Sequence, residues 1–313
     1  MKTVFCIGEV LIDFVAENQG NDLSIANIFT KKAGGAPANV ACAIAKLDGK
    51  SSFIGCIGED QFGDFLYGIL KDYKVHLDLT QRSKTFTTLA FVSISDDGER
   101  DFVFSRGADK KLKYDKTVKQ QFKDNIVHFG AATALLGGNL EDAYTHYLFD
   151  ALTKNSFISF DPNFRIDLWK DNTQTFIKKC MPFIEKSHLC KFSLEEAQLL
   201  SGKDEITEAC AFFHEIGVPL IVVTLGGDGT YVSAPNLKKT IGSISVTPVD
   251  TTGAGDAFIG CLLRQISFLT DPKSILTETD NLEQMITIAN KAGAITTTNF
   301  GAIPSLPSAE EIF

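Results

Sequence analysis

The sequence predicts a doubly wound α/β fold, in which a mostly parallel sheet is covered by helices on both faces. Short apolar segments alternate with amphipathic, helix-length segments along most of the 313 residues. Strands that alternate with helices form βαβ units, and their parallel strands are buried on both sides. The chain is 44% hydrophobic, which is enough for a substantial core.

The alternation starts at the amino terminus. The predicted elements are, in order, a strand TVFCIG, a helix APANVACAIAKL, a strand SSFIGCIG and a helix QFGDFLYGILKDY. Four further apolar segments are predicted strands, namely NIVHFGA, FISFD, HLCKFS and LIVVTLG. Near the carboxyl terminus, IGSISVTPV alternates as a strand does, and the apolar residues 257–269 predict a buried helix.

Two segments, residues 14–32 and 85–107, interrupt this pattern. The second contains two alternating stretches around an Asp-Asp-Gly turn. We predict that both segments form a small β-sheet that projects as a lid from a single domain spanning residues 1–313. One face of such a sheet must be covered, either by closing over a ligand or by a second subunit.

Charge and composition argue against several classes of protein. The net charge of −9 and the pI near 5.1 do not favour binding to nucleic acid or to anionic membranes. No apolar stretch approaches the about 20 residues that a membrane-spanning helix needs. Seven scattered cysteines without a C-x-x-C pair, and histidines without ligand spacing, predict free thiols in the cytoplasm and no zinc site.

The segment Asp250–Asp256, DTTGAGD, leads into the predicted buried helix. The backbone N–H groups of its Gly-Ala-Gly turn can converge at the helix amino terminus, where the helix dipole favours an anion. A P-loop would need Gly-Lys-Ser/Thr, and a dinucleotide fingerprint would need glycine at Phe258. The turn therefore suggests that negative charge is stabilised during a reaction, with Asp256 as the proton acceptor. Alternatively, Asp256 only caps its helix.

A second glycine turn, Gly34-Gly35, precedes a helix whose first turn carries Asn39. Close approach of the backbone together with an amide donor suits a ligand with many hydroxyl groups. The alternative is an ordinary turn with Asn39 at the start of the helix.

Together, the two motifs resemble the two signature regions of the ribokinase-like carbohydrate kinase family, and the chain is most similar to its bacterial fructokinases. The resemblance extends along essentially the entire chain, because GEVLIDF, DPNFR, KFSLEEAQLLSG, VTLGGDGTYV and GAIPSLP occur in the family's order. DTTGAGDAF is highly specific and GGAPANVA is fairly specific. The resemblance implies a ribokinase-like fold, an ATP-dependent sugar kinase and a homodimer formed through the lid.

The resemblance also implies roles for individual residues. Asp256 would take the proton of a primary sugar hydroxyl as it attacks the γ-phosphate of ATP, while the backbone of Gly253, Ala254 and Gly255 would hold the transferring phosphoryl group. The sugar would be bound by Asp13, Gly34, Gly35, Asn39, Arg106 and Arg165. Asp13 could instead be a solvated carboxylate at a strand end, and each arginine a surface charge or a structural salt bridge.

The family's nucleotide site corresponds to Ser193, Thr224, Gly226, Gly227, Gly229 and Asn290. Alternatively, Gly-Asp-Gly is a tight hairpin turn and Asn290 belongs to a helix surface. The family commonly has N-x-x-E where this chain has Ser193 and Glu196, a pattern that resembles fructokinase-type members.

The same resemblance implies two metal ions. Glu196 would contact Mg²⁺ through water, unless it is a carboxylate at a helix start that faces solvent. Asp250 and Thr252 would help to bind K⁺, unless they only form an Asx-type turn.

The predicted reaction converts fructose to fructose 6-phosphate. A 2-keto-3-deoxygluconate kinase is an alternative because it shares the DPN-x-R pattern. A catalytically silent sugar-binding regulator on the same fold is a second alternative, although such a protein has no need of a base at Asp256. The absence of a dinucleotide-binding fingerprint argues against a Rossmann dehydrogenase.

Overall fold

The computed structural model describes residues 1–17, 23–94, 100–277 and 281–313. Within them, the strands are β1 (Thr3–Ile7), β2 (Leu11–Ala16), β3 (Phe29–Gly34), β4 (Lys50–Ile54), β5 (Cys56–Gly58), β6 (Gln81–Ser83), β7 (Leu89–Ile94), β8 (Arg100–Ser105), β9 (Ile126–Gly130), β10 (Phe157–Asp161), β11 (Leu189–Ser193), β12 (Leu220–Thr224), β13 (Thr230–Ala234) and β14 (Leu237–Ile241). The α-helices are α1 (Ala36–Lys46), α2 (Gln61–Asp72), α3 (Gly138–Thr153), α4 (Ile166–Trp169), α5 (Thr173–Lys186), α6 (Leu194–Ser201), α7 (Ile206–Glu215), α8 (Ala254–Ser267), α9 (Leu282–Thr296) and α10 (Ala309–Ile312).

The main sheet has eight strands in the order β14-β13-β12-β11-β10-β9-β1-β4. The six strands from β4 to β12 in this order are parallel, and β13 and β14 are antiparallel additions at one edge. The chain continues to β4 on one side of β1 and to β9 on the other, so the sheet is doubly wound. This confirms the predicted fold class.

Helices cover both faces of this sheet and divide the core into two hydrophobic clusters. One cluster contains apolar side chains of α1, α8 and α9, such as Ile44, Leu262 and Ile286. The other contains side chains of α3, α5 and α7, such as Tyr144 and Phe213. All seven cysteines are buried and free, as predicted.

A separate four-stranded sheet has the order β3-β2-β7-β8. Strand β2 is parallel to β7, while the pairs β2–β3 and β7–β8 are antiparallel. Both segments that interrupt the α/β pattern therefore contribute strands to a small sheet. The predicted Asp-Asp-Gly turn falls in residues 95–99, outside the described residues.

Three predicted elements differ from the observed ones. SSFIGCIG is two strands, because the chain leaves the main sheet at Gly55 and β5 pairs with β6. Helix α8 begins at Ala254, earlier than its apolar pattern suggests. The strand prediction for IGSISVTPV is wrong, since β14 ends at Ile241 and residues 242–249 have no regular secondary structure. In the part of the chain that the structure describes, no helix combines the length and apolar character needed to cross a membrane.

Candidate active site

Two cavities meet at the amino terminus of α8. We call the first, of about 520 Å³, the lid cavity, because the small sheet contributes Phe102 and Phe104 to its wall. We call the second, of about 420 Å³, the hairpin cavity, because it includes the turn between β12 and β13. Thr224, Thr251 and Gly255 line both cavities. Two different ligands can therefore approach each other at Gly255.

The turn before α8 requires glycine. Gly253 precedes the helix with a φ of 81°, and a side chain there would overlap with Ala302. The first N–H groups of a helix have no acceptor within it, although the N–H of Ala254 donates to Thr251 O at 3.3 Å. This geometry suits an anion at the turn. The N–H of Ala254 should contribute least to binding it, because that group already has an acceptor.

Asp256 lies in the first turn of α8 and lines the lid cavity, with only 9% of its surface exposed. The Nδ2 amide of Asn39, on α1, donates to its Oδ2 atom at 2.8 Å. Burial raises the pKa of Asp256 to about 6, although the hydrogen bond from Asn39 and the charge of Lys191 oppose that shift. A carboxylate with this pKa is ionised at neutral pH and is a stronger base than a solvated aspartate.

The paired glycines Gly34 and Gly35 affect the lid cavity in different ways. Gly34 does not line it, but a side chain at this position would overlap with the carboxylate of Asp13, which does. Gly35 has a φ of 106°, and a Cβ atom there would lie 2.7 Å from Glu9 O. Gly34 therefore makes room for Asp13, whereas Gly35 lines the cavity itself.

The two predicted arginines differ in position. Arg165 lines the lid cavity, and its Nη1 atom donates to Phe164 O at 2.9 Å. Arg106 is not among the cavity-lining residues; its Nε and Nη2 atoms donate to Asp109 Oδ2 at 2.9 and 2.7 Å. A buried carboxylate such as Asp109 needs a cation beside it, so the alternative of a structural salt bridge describes Arg106.

Ser193 and Glu196 form a capping box at the start of α6. Glu196 Oε2 accepts the Ser193 N–H at 2.8 Å, and Oε1 accepts the Phe164 N–H at 2.7 Å. Burial and the nearby Asp161 raise the pKa of Glu196. The alternative of a solvent-facing carboxylate is wrong, because Glu196 is 7% exposed and lines the lid cavity.

The two oxygens of Glu196 can each accept one more hydrogen bond, for example from a metal-bound water. Within the described ranges, no group of three or more His, Cys, Asp or Glu side chains could hold a metal by itself. A carboxylate such as Glu196 is compatible with a Mg²⁺ ion that keeps most of its water and binds mainly to phosphate.

The turn between β12 and β13 is a hairpin that also lines a cavity. The hairpin cavity is lined by Thr224, Gly226, Gly227 and Gly229. The segment can therefore form a hairpin turn and also contribute to a nucleotide site, so these two interpretations are compatible. Residues 243–246 and 248, from the segment wrongly predicted as a strand, form another part of its wall.

Asn290, on α9, also lines the hairpin cavity but is buried. Its Nδ2 atom donates to Ile241 O at 2.8 Å, and its Oδ1 atom accepts from Thr230 Oγ1 at 2.6 Å. It is therefore a bridge between α9 and the edge of the sheet, and the alternative of a helix surface is wrong.

Asp250 and Thr252 form an Asx-type turn. The N–H and hydroxyl groups of Thr252 donate to Asp250 Oδ1 at 2.9 and 2.6 Å, and the Gly301 N–H donates to Oδ2 at 2.8 Å. Thr252 lines the lid cavity, whereas Asp250 does not. The turn explains these residues structurally, and K⁺ binding stays a prediction.

Sequence reasoning missed three charged residues of the lid cavity, Glu9, Lys191 and Glu195. Glu9 is 1% exposed, its Oε1 atom has no hydrogen-bond partner among the described residues, and burial raises its pKa to about 7. Glu9 and Lys191 interrupt apolar segments, in IGEVLI and LCKFS. A charge within an apolar segment was the available signal for these two residues.

Comparisons with known proteins agree with this geometry. Residues 1–309 match the model of the pfkB family carbohydrate kinases. A probable fructokinase-4 of Arabidopsis thaliana is 36% identical, with 99% of this chain and 95% of that protein covered.

Two solved structures are similar over nearly their entire length. A Xylella fastidiosa fructokinase with bound ATP has a TM-score of 0.86 at 27% identity, covering 99% of this chain and 96% of that one. A fructokinase double mutant of Vibrio cholerae, with fructose, ADP and potassium ion bound, has a TM-score of 0.85 at 29% identity, covering 100% and 97%. The chain therefore belongs to the pfkB family of carbohydrate kinases.

Proposed function

We propose that this protein is an ATP-dependent fructokinase that transfers the γ-phosphate to a primary hydroxyl of fructose, giving fructose 6-phosphate. The observation that carries the proposal is the meeting of two cavities at Gly255, directly beside a buried carboxylate on Asp256. The names of the relatives support fructose as the sugar.

In this proposal the sugar occupies the lid cavity and ATP occupies the hairpin cavity. Asp256 accepts the proton of the attacking hydroxyl, and the N–H groups at the start of α8 carry part of the charge on the phosphoryl group. Asp13 accepts hydrogen bonds from sugar hydroxyls. Mg²⁺ bound to the phosphates would neutralise part of their charge, and Glu196 would hold one of its waters. Asp250 and Thr252 would contribute to a K⁺ site beside the turn.

We further propose that residues 14–32 and 85–107 act as a lid in a cytoplasmic homodimer. Phe102 and Phe104 line the lid cavity, while Val103, between them on β8, is exposed. Closing the inner face over the sugar would exclude water and limit ATP hydrolysis. The outer face would pair with a second subunit, and the mass of the protein in solution tests that pairing.

The experiment that tests the function is ADP release with Mg·ATP and, separately, fructose, 2-keto-3-deoxygluconate, ribose, glucose and adenosine, each with and without K⁺. A dominant rate with fructose is expected. Preference for the keto acid would keep the mechanism and make Arg165 a carboxylate-binding residue. No turnover with any sugar would contradict a kinase and favour a sugar-binding regulator.

The hydrogen bond between Asn39 and Asp256 predicts a pH effect. Activity should fall as the pH drops through about 6, because protonated Asp256 cannot accept a proton. Asn39→Ala removes a hydrogen bond that lowers this pKa, so the fall should begin at higher pH. Profiles of kcat/KM against pH for both proteins measure the shift, and coincident acid limbs would contradict it.

The space beside Gly34 predicts an effect on sugar binding. In Gly34→Ala the new methyl group would displace the carboxylate of Asp13, so KM for the sugar should rise by about tenfold, as for a lost hydrogen bond to a charged group. Gly68→Ala is the matched control, because a Cβ atom at Gly68 on α2 meets nothing within 4 Å. An unchanged KM in Gly34→Ala would mean that Asp13 does not bind the sugar.

A further inference from the structure

Lys191 has an unusual position for a lysine. It lies on β11, in the interior of the main sheet, and only 8% of its side chain is exposed. That exposed part faces the lid cavity, which Lys191 lines. Burying a lysine is costly, so a buried ammonium group that reaches a ligand cavity requires a physical reason.

The ammonium group lies at the wall that both cavities share. A Cβ atom on Gly255 would be 3.0 Å from Lys191 Nζ and 3.2 Å from Cε. Nζ is therefore adjacent to the first turn of α8, where the backbone N–H groups already favour an anion. The charge of Lys191 also acts on Asp256, whose pKa it lowers.

The ammonium group of Lys191 forms an ion pair with a buried carboxylate outside the cavities. Asp161, at the end of β10, is fully buried, and its Oδ2 atom lies 2.8 Å from Lys191 Nζ. Burial disfavours the charged form of Lys191, but Asp161 and Glu196 more than offset it, so the pKa of Lys191 is raised and the group stays charged. An ammonium group has three donors, so donors remain for a ligand in the cavity.

We propose that Lys191 is a further catalytic residue, whose ammonium group contacts the transferring phosphoryl group and carries part of its negative charge. The inference rests on the proposed kinase reaction. In that step the sugar oxygen forms a bond to the γ-phosphorus, the bond to the β–γ bridging oxygen breaks, and ADP leaves with that electron pair. The hydroxyl proton goes to Asp256, and Lys191 keeps its own proton throughout.

Asp161 is then a positioning residue. It does not line either cavity, and its carboxylate fixes Nζ toward the turn instead of toward solvent. This arrangement keeps a cation in place before ATP binds, so little reorganisation is needed during the reaction.

The test replaces the lysine and separates a phosphoryl contact from a structural role. Lys191→Met should lower kcat by about 10²-fold, as when one preorganised donor is removed. It should also weaken binding of the non-hydrolysable β,γ-imido analogue of ATP by about tenfold, while ADP affinity stays unchanged, because only the triphosphate reaches Nζ. Both affinities are measured by calorimetry with Mg²⁺ and without sugar.

Lys191→Met leaves Asp161 as a buried, unpaired charge and could unfold the protein. The double variant Asp161→Asn/Lys191→Met removes both charges, and it should show the same contrast between the two nucleotides. Lys179→Met is the matched control, because Lys179 pairs with Glu141 at 2.6 Å outside both cavities and its loss should change neither affinity.

Equal changes in both affinities, or a normal kcat in folded Lys191→Met, would overturn the inference. The proposed function fails separately, when the wild-type protein phosphorylates no sugar. The calorimetric contrast still decides the role of Lys191 in that case, because it does not depend on turnover.

Discussion

Asp256→Asn is expected to lower turnover by at least about 10²-fold, the range for the loss of a general base. The substitution keeps the shape of the side chain but removes its ability to accept a proton. The new amide oxygen can still accept the hydrogen bond from Asn39, so the contact between α1 and α8 should persist. The substitution leaves the other side chains that line the lid cavity unchanged, so sugar affinity should stay nearly intact.

The measurement is kcat with fructose, accompanied by calorimetric binding of fructose and by thermal unfolding. Asp64→Asn is a suitable control, because Asp64 pairs with Arg82 on the surface and lines neither cavity. It should have wild-type turnover. Near-normal turnover in folded Asp256→Asn would show that another group, or water, takes the proton.

The position of Asp256 at the start of a helix could be predicted because its signal is local. A glycine turn followed by an acid and an apolar helix lies within one short segment, and the geometry of a helix start depends on few distant contacts. The role of Lys191 could not be inferred without the three-dimensional structure. Its role depends on Asp161 on the neighbouring strand and on Gly255 on a helix far along the chain, and no single-sequence pattern brings those three together.

The differences between the sequence predictions and the structure have the same physical origin. IGSISVTPV has the alternation of a strand, but a strand also needs a partner, and this segment lines the hairpin cavity instead. Arg106 has the charge expected of a ligand-binding residue, but here it pairs with the buried Asp109, and sugar binding by Arg106 stays a prediction. In both cases a tertiary contact, which the local sequence pattern does not contain, decides what the residues do.

Gly255→Val is expected to abolish turnover, with a loss of at least about 10³-fold, because it changes the wall that both cavities share. Its Cβ atom would lie 3.0 Å from Lys191 Nζ, so the ammonium group must move. The two methyl groups extend further, toward the space where the phosphoryl group would pass. Gly255→Ala adds only the Cβ atom, and the flexible end of Lys191 can yield by a few tenths of an ångström, so a much smaller loss is expected.

Gly68→Val controls for the cost of a β-branched residue in a helix, since Gly68 faces open space on α2. It should lower the melting temperature slightly and leave turnover unchanged. Sugar affinity separates two causes of inactivity in Gly255→Val: retained fructose binding locates the defect at the phosphoryl position, which is the expected result. A folded Gly255→Val protein with wild-type turnover would instead show that the glycine serves the turn alone, and that phosphate does not pass beside α8.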